Sequence, residues 1–143
     1  MRFVVFDVIP ALLSWEGRDR SDDPIVAPDA HTAISDLFTH HRLIAITDAG
    51  MSRLEVAVAL DSAGVGRFFD SVTTTAGLGP TLTPRIVRRM VHSHHGGPIV
   101  VTGRERLARA LSRSRFAVVF TTQAEFGAVP DAVASLAGGR VSP

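Results

Sequence analysis

The sequence predicts an α/β domain built on a five-stranded parallel sheet flanked by helices. Short apolar runs rich in Val, Ile and Phe recur along the chain, and segments of helical spacing separate them. A length of 143 residues with 45% hydrophobic content fits one domain, 1–143, with a substantial core.

The first strand, Arg2 to Phe6, delivers Asp7 at its end. The polar stretch Ser14 to Asp23 reads as a solvated loop, too short for a substrate-covering cap domain. Asp29 is placed to cap a helix whose Ile34, Leu37 and Phe38 share one face. The second strand is Arg42 to Thr47, Gly64 stops the helix that follows, and the third strand is Ser71 to Thr75. Thr83 and Pro84 open a helix that buries Ile86, Val87, Met90 and Val91 and turns Arg85, Arg88, Arg89 and His92 outward. Gly96 and Gly97 end it, and Pro98 to Thr102 forms the fourth strand. The helix Glu105 to Arg113 sets Leu107, Ala108 and Leu111 against the sheet. Phe116 to Thr121 is the fifth strand, Pro130 to Leu136 a short helix, and Gly138 to Pro143 a loose tail.

Composition removes whole classes of chemistry. All 15 basic residues are Arg, a bias expected of a GC-rich genome, so no lysine can form a Schiff base or hold a phosphate. With no cysteine, disulfides, thiolate zinc sites and cysteine nucleophiles are excluded. A net charge of +1 gives no electrostatic case for nucleic-acid binding. No apolar stretch approaches the ~20 residues of a membrane span. The expected location is the cytoplasm.

Asp7 follows Phe3-Val4-Val5-Phe6 and precedes Val8-Ile9-Pro10-Ala11. An Asp at the end of a first strand resembles the opening motif of the haloacid dehalogenase superfamily, D-x-D-x-T/V. Leu43-Ile44-Ala45-Ile46-Thr47 resembles the second motif, a strand ending in a phosphate-holding hydroxyl. The segment from Leu60 to Val72 is similar to the family's helix, turn and third strand. The resemblance spans roughly Arg2 to Thr121. It implies a Rossmann-like sheet of order 5-4-1-2-3 with ligands at the carboxyl ends of the strands.

The departures from the family pattern bear on chemistry. Ile9 stands at the second acidic position and Ala11 at the hydroxyl position. Thr81 stands where the family carries Lys, and Gly103-Arg104 where it carries Gly-Asp for Mg2+. Losing a general acid forfeits about 10²–10⁴ in rate, and losing one preorganised donor about 10²–10³. The expectation is a pseudoenzyme that binds a protein partner or a phosphorylated small molecule. The alternative is a weak hydrolase in which Asp7 attacks with help from Thr47 and Arg104. No cofactor is expected; Mg2+ at Asp7 belongs to the alternative. Candidate ligand-binding residues are Thr47, Asp48, Gly50, Gly103 and Arg104. Adjacent first and fourth strands would bring the Arg104 guanidinium to Asp7 in place of the metal.

The remaining groupings carry less chemistry. His92, His94 and His95, like His40 and His41, close helices that lead into strands, which puts them at the amino ends of the strands. Arg104, Arg106, Arg109, Arg113 and Arg115 make a basic helix, read first as a solvated face. A metal-dependent nuclease of the PIN type would need carboxylates at the later strand ends, which finish in Thr75, Thr102 and Thr121. A receiver domain would need a strand-end lysine.

Overall fold

A computed structural model describes residues 2–48, 50–91 and 97–138. Its centre is a five-stranded parallel sheet, and β1 (Phe3–Asp7) is the middle strand. On one side β1 pairs with β4 (Arg42–Thr47), which pairs with β5 (Phe69–Thr74). On the other side it pairs with β6 (Ile99–Thr102), which pairs with β7 (Ala117–Phe120).

Alternation along β1 explains why both faces of the sheet are covered. Val4 and Phe6 join one apolar cluster with Leu43, Ala45, Ile99 and Val101. Val5 joins the other with Ile44, Ile46 and Val100. The first cluster is closed by α2 (Ala30–Phe38), α3 (Arg53–Ser62) and α6 (Val129–Gly138), through Ile34, Leu37, Val56, Leu60, Val129 and Val133. The second is closed by α4 (Pro84–Met90) and α5 (Glu105–Arg113), through Val87, Leu107 and Leu111. A strand buried on both faces needs the near-continuous apolar runs that the sequence supplies.

Numbered with two further short strands included, the sheet order is β5-β4-β1-β6-β7. In the count of five strands this is the expected order 5-4-1-2-3 read from the opposite edge. Two short strands not expected from the sequence, β2 (Leu13–Ser14) and β3 (Ile25–Val26), form an antiparallel hairpin that brackets the expected loop Ser14 to Asp23. Each is two residues long, too short to show a period. A four-residue segment, α1 (Val8–Ala11), kinked by extended backbone at Ile9, links β1 to this hairpin.

Helix punctuation follows the sequence with two exceptions. Thr83 Oγ1 accepts from Ile86 N–H at 3.2 Å, with Pro84 in the first turn. Gly64 ends α3 at φ 81°, a conformation that costs glycine little. Asp29 sits at the N-cap of α2, but its φ of 62° leaves the side chain out of reach of the helix N–H groups. Phe38 was expected on the buried face and is 45% exposed, its ring centroid 5.3 Å from that of Phe68.

The His92, His94 and His95 group and the tail beyond Gly138 lie outside the described residues. Among the described residues, no helix is long and apolar enough to cross a membrane.

Candidate functional site at the carboxyl ends of the strands

Among the described residues the buried polar side chains are Asp7, Thr47, Thr75, Thr102 and Thr121. Each stands at or just past the carboxyl end of a strand, from β1, β4, β5, β6 and β7 respectively. Polar groups withdrawn from water require partners. Their convergence on one rim marks that rim as the place where the fold departs from pure packing.

Asp7 is the centre of the rim. Its side chain is 0% exposed. Arg104, at the start of α5, closes on it from the adjacent β6, with Nε donating to Oδ2 at 2.9 Å and Nη2 donating to Oδ1 at 3.0 Å. Thr102 Oγ1 also donates to Oδ2, at 2.8 Å, and itself accepts from the Arg104 backbone N–H at 3.1 Å. One hydroxyl therefore fixes both partners of the ion pair.

Asp48 completes the arrangement from the end of β4. Its Oδ2 accepts from Arg104 Nη1 at 3.0 Å and from Leu82 N–H at 2.6 Å. A single guanidinium is thus held by two carboxylates, and three of its five N–H groups are committed. The second bond of Asp48 ties the segment before α4 to the same rim.

Electrostatics follows from this burial. Removal from water pushes the Asp7 carboxyl above its ordinary range, against the downward pull of the Arg104 and Thr102 bonds; Asp48 adds to the rise. For Arg104, burial opposes the charge, but bonding and attraction to Asp7 and Asp48 outweigh it and raise its pKa.

The backbone around the rim is tight at Gly103. A Cβ there would lie 3.0 Å from Ala11 Cβ, 3.1 Å from Ala11 N and 3.1 Å from the Thr121 carbonyl oxygen. Gly103 lets the turn from β6 to α5 pass between α1 and β7, and that turn aims Arg104 back at Asp7. Its role is positional.

The predicted site residues separate into two groups. Asp7, Asp48 and Arg104 meet directly, with Gly103 beneath them. Thr47 is buried beside Asp48. Gly50 is exposed in the following turn at φ 75°, where its N–H bonds the Asp48 carbonyl at 2.8 Å. Sequence reasoning missed two roles: Thr102 as the hydroxyl that orients Asp7, and Asp48 as the second anion on Arg104. The signal for Thr102 was its place at the end of the strand beside β1.

The departures from the family pattern are filled by groups without the matching chemistry. Ile9 packs against the larger apolar cluster, and Thr81 is exposed. Among the described residues no three His, Asp or Glu side chains are grouped so as to hold a metal ion. The rim residues do not fit Mg2+, because both Asp7 oxygens are taken by donors and a guanidinium covers them. No protein-family model and no curated protein matches the chain.

Proposed function

We propose that this chain is a haloacid-dehalogenase-like domain that does not turn over phosphate esters and that acts by binding. The observation that carries the proposal is the bidentate closure of Arg104 on a fully buried Asp7. In-line attack needs a free carboxylate oxygen facing the phosphorus, and here each oxygen already accepts. No acid stands at Ile9 to protonate a leaving group.

Between a phosphorylated ligand and a protein partner, the charge count favours the protein. A phosphate arriving at Arg104 would compete with two carboxylates for a cation they already balance. A cytoplasmic setting is part of the same proposal.

The catalytic half is tested by incubating the purified chain with Mg2+ and a panel of phosphate esters, with Asp7→Asn alongside. Phosphate release is expected to equal that of the variant; release that needs both Mg2+ and Asp7 overturns the reading. Inorganic phosphate tests the choice of ligand. It should leave Tm unchanged, and a Tm that climbs with phosphate concentration would assign an anion ligand instead.

A further inference from the structure

The two edges of the sheet are built differently. On β5, Ser71 and Asp70 are exposed, and Asp70 pairs with Arg42 at 3.6 Å. Polar and charged side chains on an edge strand discourage further pairing. The other edge, β7, reads Ala117-Val118-Val119-Phe120 with no charge, Pro or Gly, and Phe120 is 48% exposed. Among the described residues β7 pairs with β6 alone. Open clefts lie on both faces of this edge, and Phe120 lines both.

The charges around β7 are ordered along its length. At its carboxyl end stand Glu105, which begins α5, and Glu125. At its amino end stand Arg113, which ends α5, and Arg115. Between Glu105 and Arg113 the stripe of α5 that borders the cleft carries the small residues Ala108 and Ser112. Arg109, also on the stripe, lies one helical turn from Glu105 on its own helix.

We propose that β7 is a homodimerisation edge, at which a second copy of this chain adds its own β7 antiparallel about a two-fold axis normal to the sheet. Antiparallel pairing reverses the charge order, so on the α5 face Glu105 of one copy meets Arg113 of the other. Such an axis keeps the faces of the sheet, so residues opposite each other must come from the same face. With Val119 on the axis, Phe120 of one copy lies opposite Val118 of the other, an aromatic and β-branched pair suited to cross-strand packing. The two α5 helices then run antiparallel with Ala108 and Ser112 at their approach. The interface is isologous, so every contact occurs twice. The sheet becomes continuous through both copies and this edge disappears.

Sedimentation equilibrium of the full chain across a dilution series tests the proposal, with circular dichroism to confirm folding. The wild type is expected to dimerise, and added salt to weaken the dimer. Phe120→Lys should give a monomer. Glu105→Arg and Arg113→Glu should each weaken dimerisation by about tenfold or more, and the double variant should regain it. If Phe120→Lys fails to fold, the charge exchange decides. A wild type that stays monomeric overturns the proposal, including the case in which the edge takes a strand from a different protein. A dimer that none of these variants affects overturns it equally.

Discussion

Arg104 lies in parallel register on Asp7, its Nε on Oδ2 at 2.9 Å and its Nη2 on Oδ1 at 3.0 Å. The pair joins residues 97 positions apart, and it does so because β1 and β6 are neighbours in the sheet. Removing one partner of such a pair leaves an uncompensated charge out of water. Arg104→Met is expected to destabilise the fold by about 2–3 kcal/mol, below the full cost of a wholly buried pair because the guanidinium is partly exposed. Urea unfolding measures it. Asp7→Leu combined with Arg104→Met should recover most of the loss, which separates the lost pairing from lost packing.

Asp48 carries a different load. Its Oδ2 satisfies the backbone N–H of buried Leu82 as well as Arg104. Asp48→Ala orphans that N–H and is expected to cost about 1–3 kcal/mol. Hydrogen exchange at Leu82 should accelerate in this variant, while exchange in β1 stays slow. An unchanged rate at Leu82 would remove the tether from the account.

Gly103→Ala probes the backbone alone. The atoms a new Cβ would meet belong to Ala11 and to the Thr121 carbonyl, none of which is the end of a flexible side chain. The cost is expected at about 1–3 kcal/mol, as for other overpacked positions. Thermal unfolding reads it. A neutral result would mean that the turn from β6 to α5 can shift without disturbing Arg104.

How much of this was legible in the sequence depends on the length of the signal. The runs at Leu43–Ile46 and Val4–Phe6 were readable because strands buried on both faces need continuous apolar side chains. The pairing of Arg104 with Asp7 was readable because the resemblance made strands one and four neighbours. The hairpin of Leu13–Ser14 with Ile25–Val26 was not, since two-residue strands leave no periodicity. Asp48 and Thr102 were seen as strand-end residues but not as partners, because side-chain direction at a strand end depends on the turn that follows. Asp29 shows the converse: a good capping residue by type, turned away by a left-handed backbone.

Acid sensitivity should arise at the amino ends of the strands, opposite the Asp7 rim. His41, just before β4, has a buried Nδ1 without a hydrogen-bond partner among the described residues. Burial holds its pKa below 6.5, with the neighbouring positive charges adding to the fall against a backbone hydrogen bond involving Arg2. A depressed folded value means that the unfolded chain binds the proton more readily. The stability His41 contributes is therefore present above pH 6.5 and lost as pH falls through the folded value. Asp7 has the reverse sign at lower pH, because its folded pKa is raised. Its contribution is full below the unfolded value of about 3.9 and declines as pH rises through the folded one. Unfolding free energy measured against pH should lose its decline below pH 6.5 in His41→Gln and its low-pH component in Asp7→Asn.

Arg104→Asp tests whether the guanidinium is what bars a divalent ion. The substitution puts a carboxylate after Gly103, beside the end of β1, and frees both Asp7 oxygens except for the Thr102 bond. Two or three carboxylates, from Asp7, Asp48 and the new residue, then face one another without a cation, and like charges so close should recruit Mg2+ or Mn2+. The expected outcome is weak Mn2+ binding by electron paramagnetic resonance in Arg104→Asp and none in the wild type at the same concentration. Phosphate ester turnover should stay absent in the variant, because Ile9 still supplies no proton to a leaving group and a missing general acid alone forfeits about 10²–10⁴ in rate. Equal Mn2+ binding by wild type and variant would show that Arg104 can leave Asp7 at little cost, and the closed rim would then be a resting state of an active site.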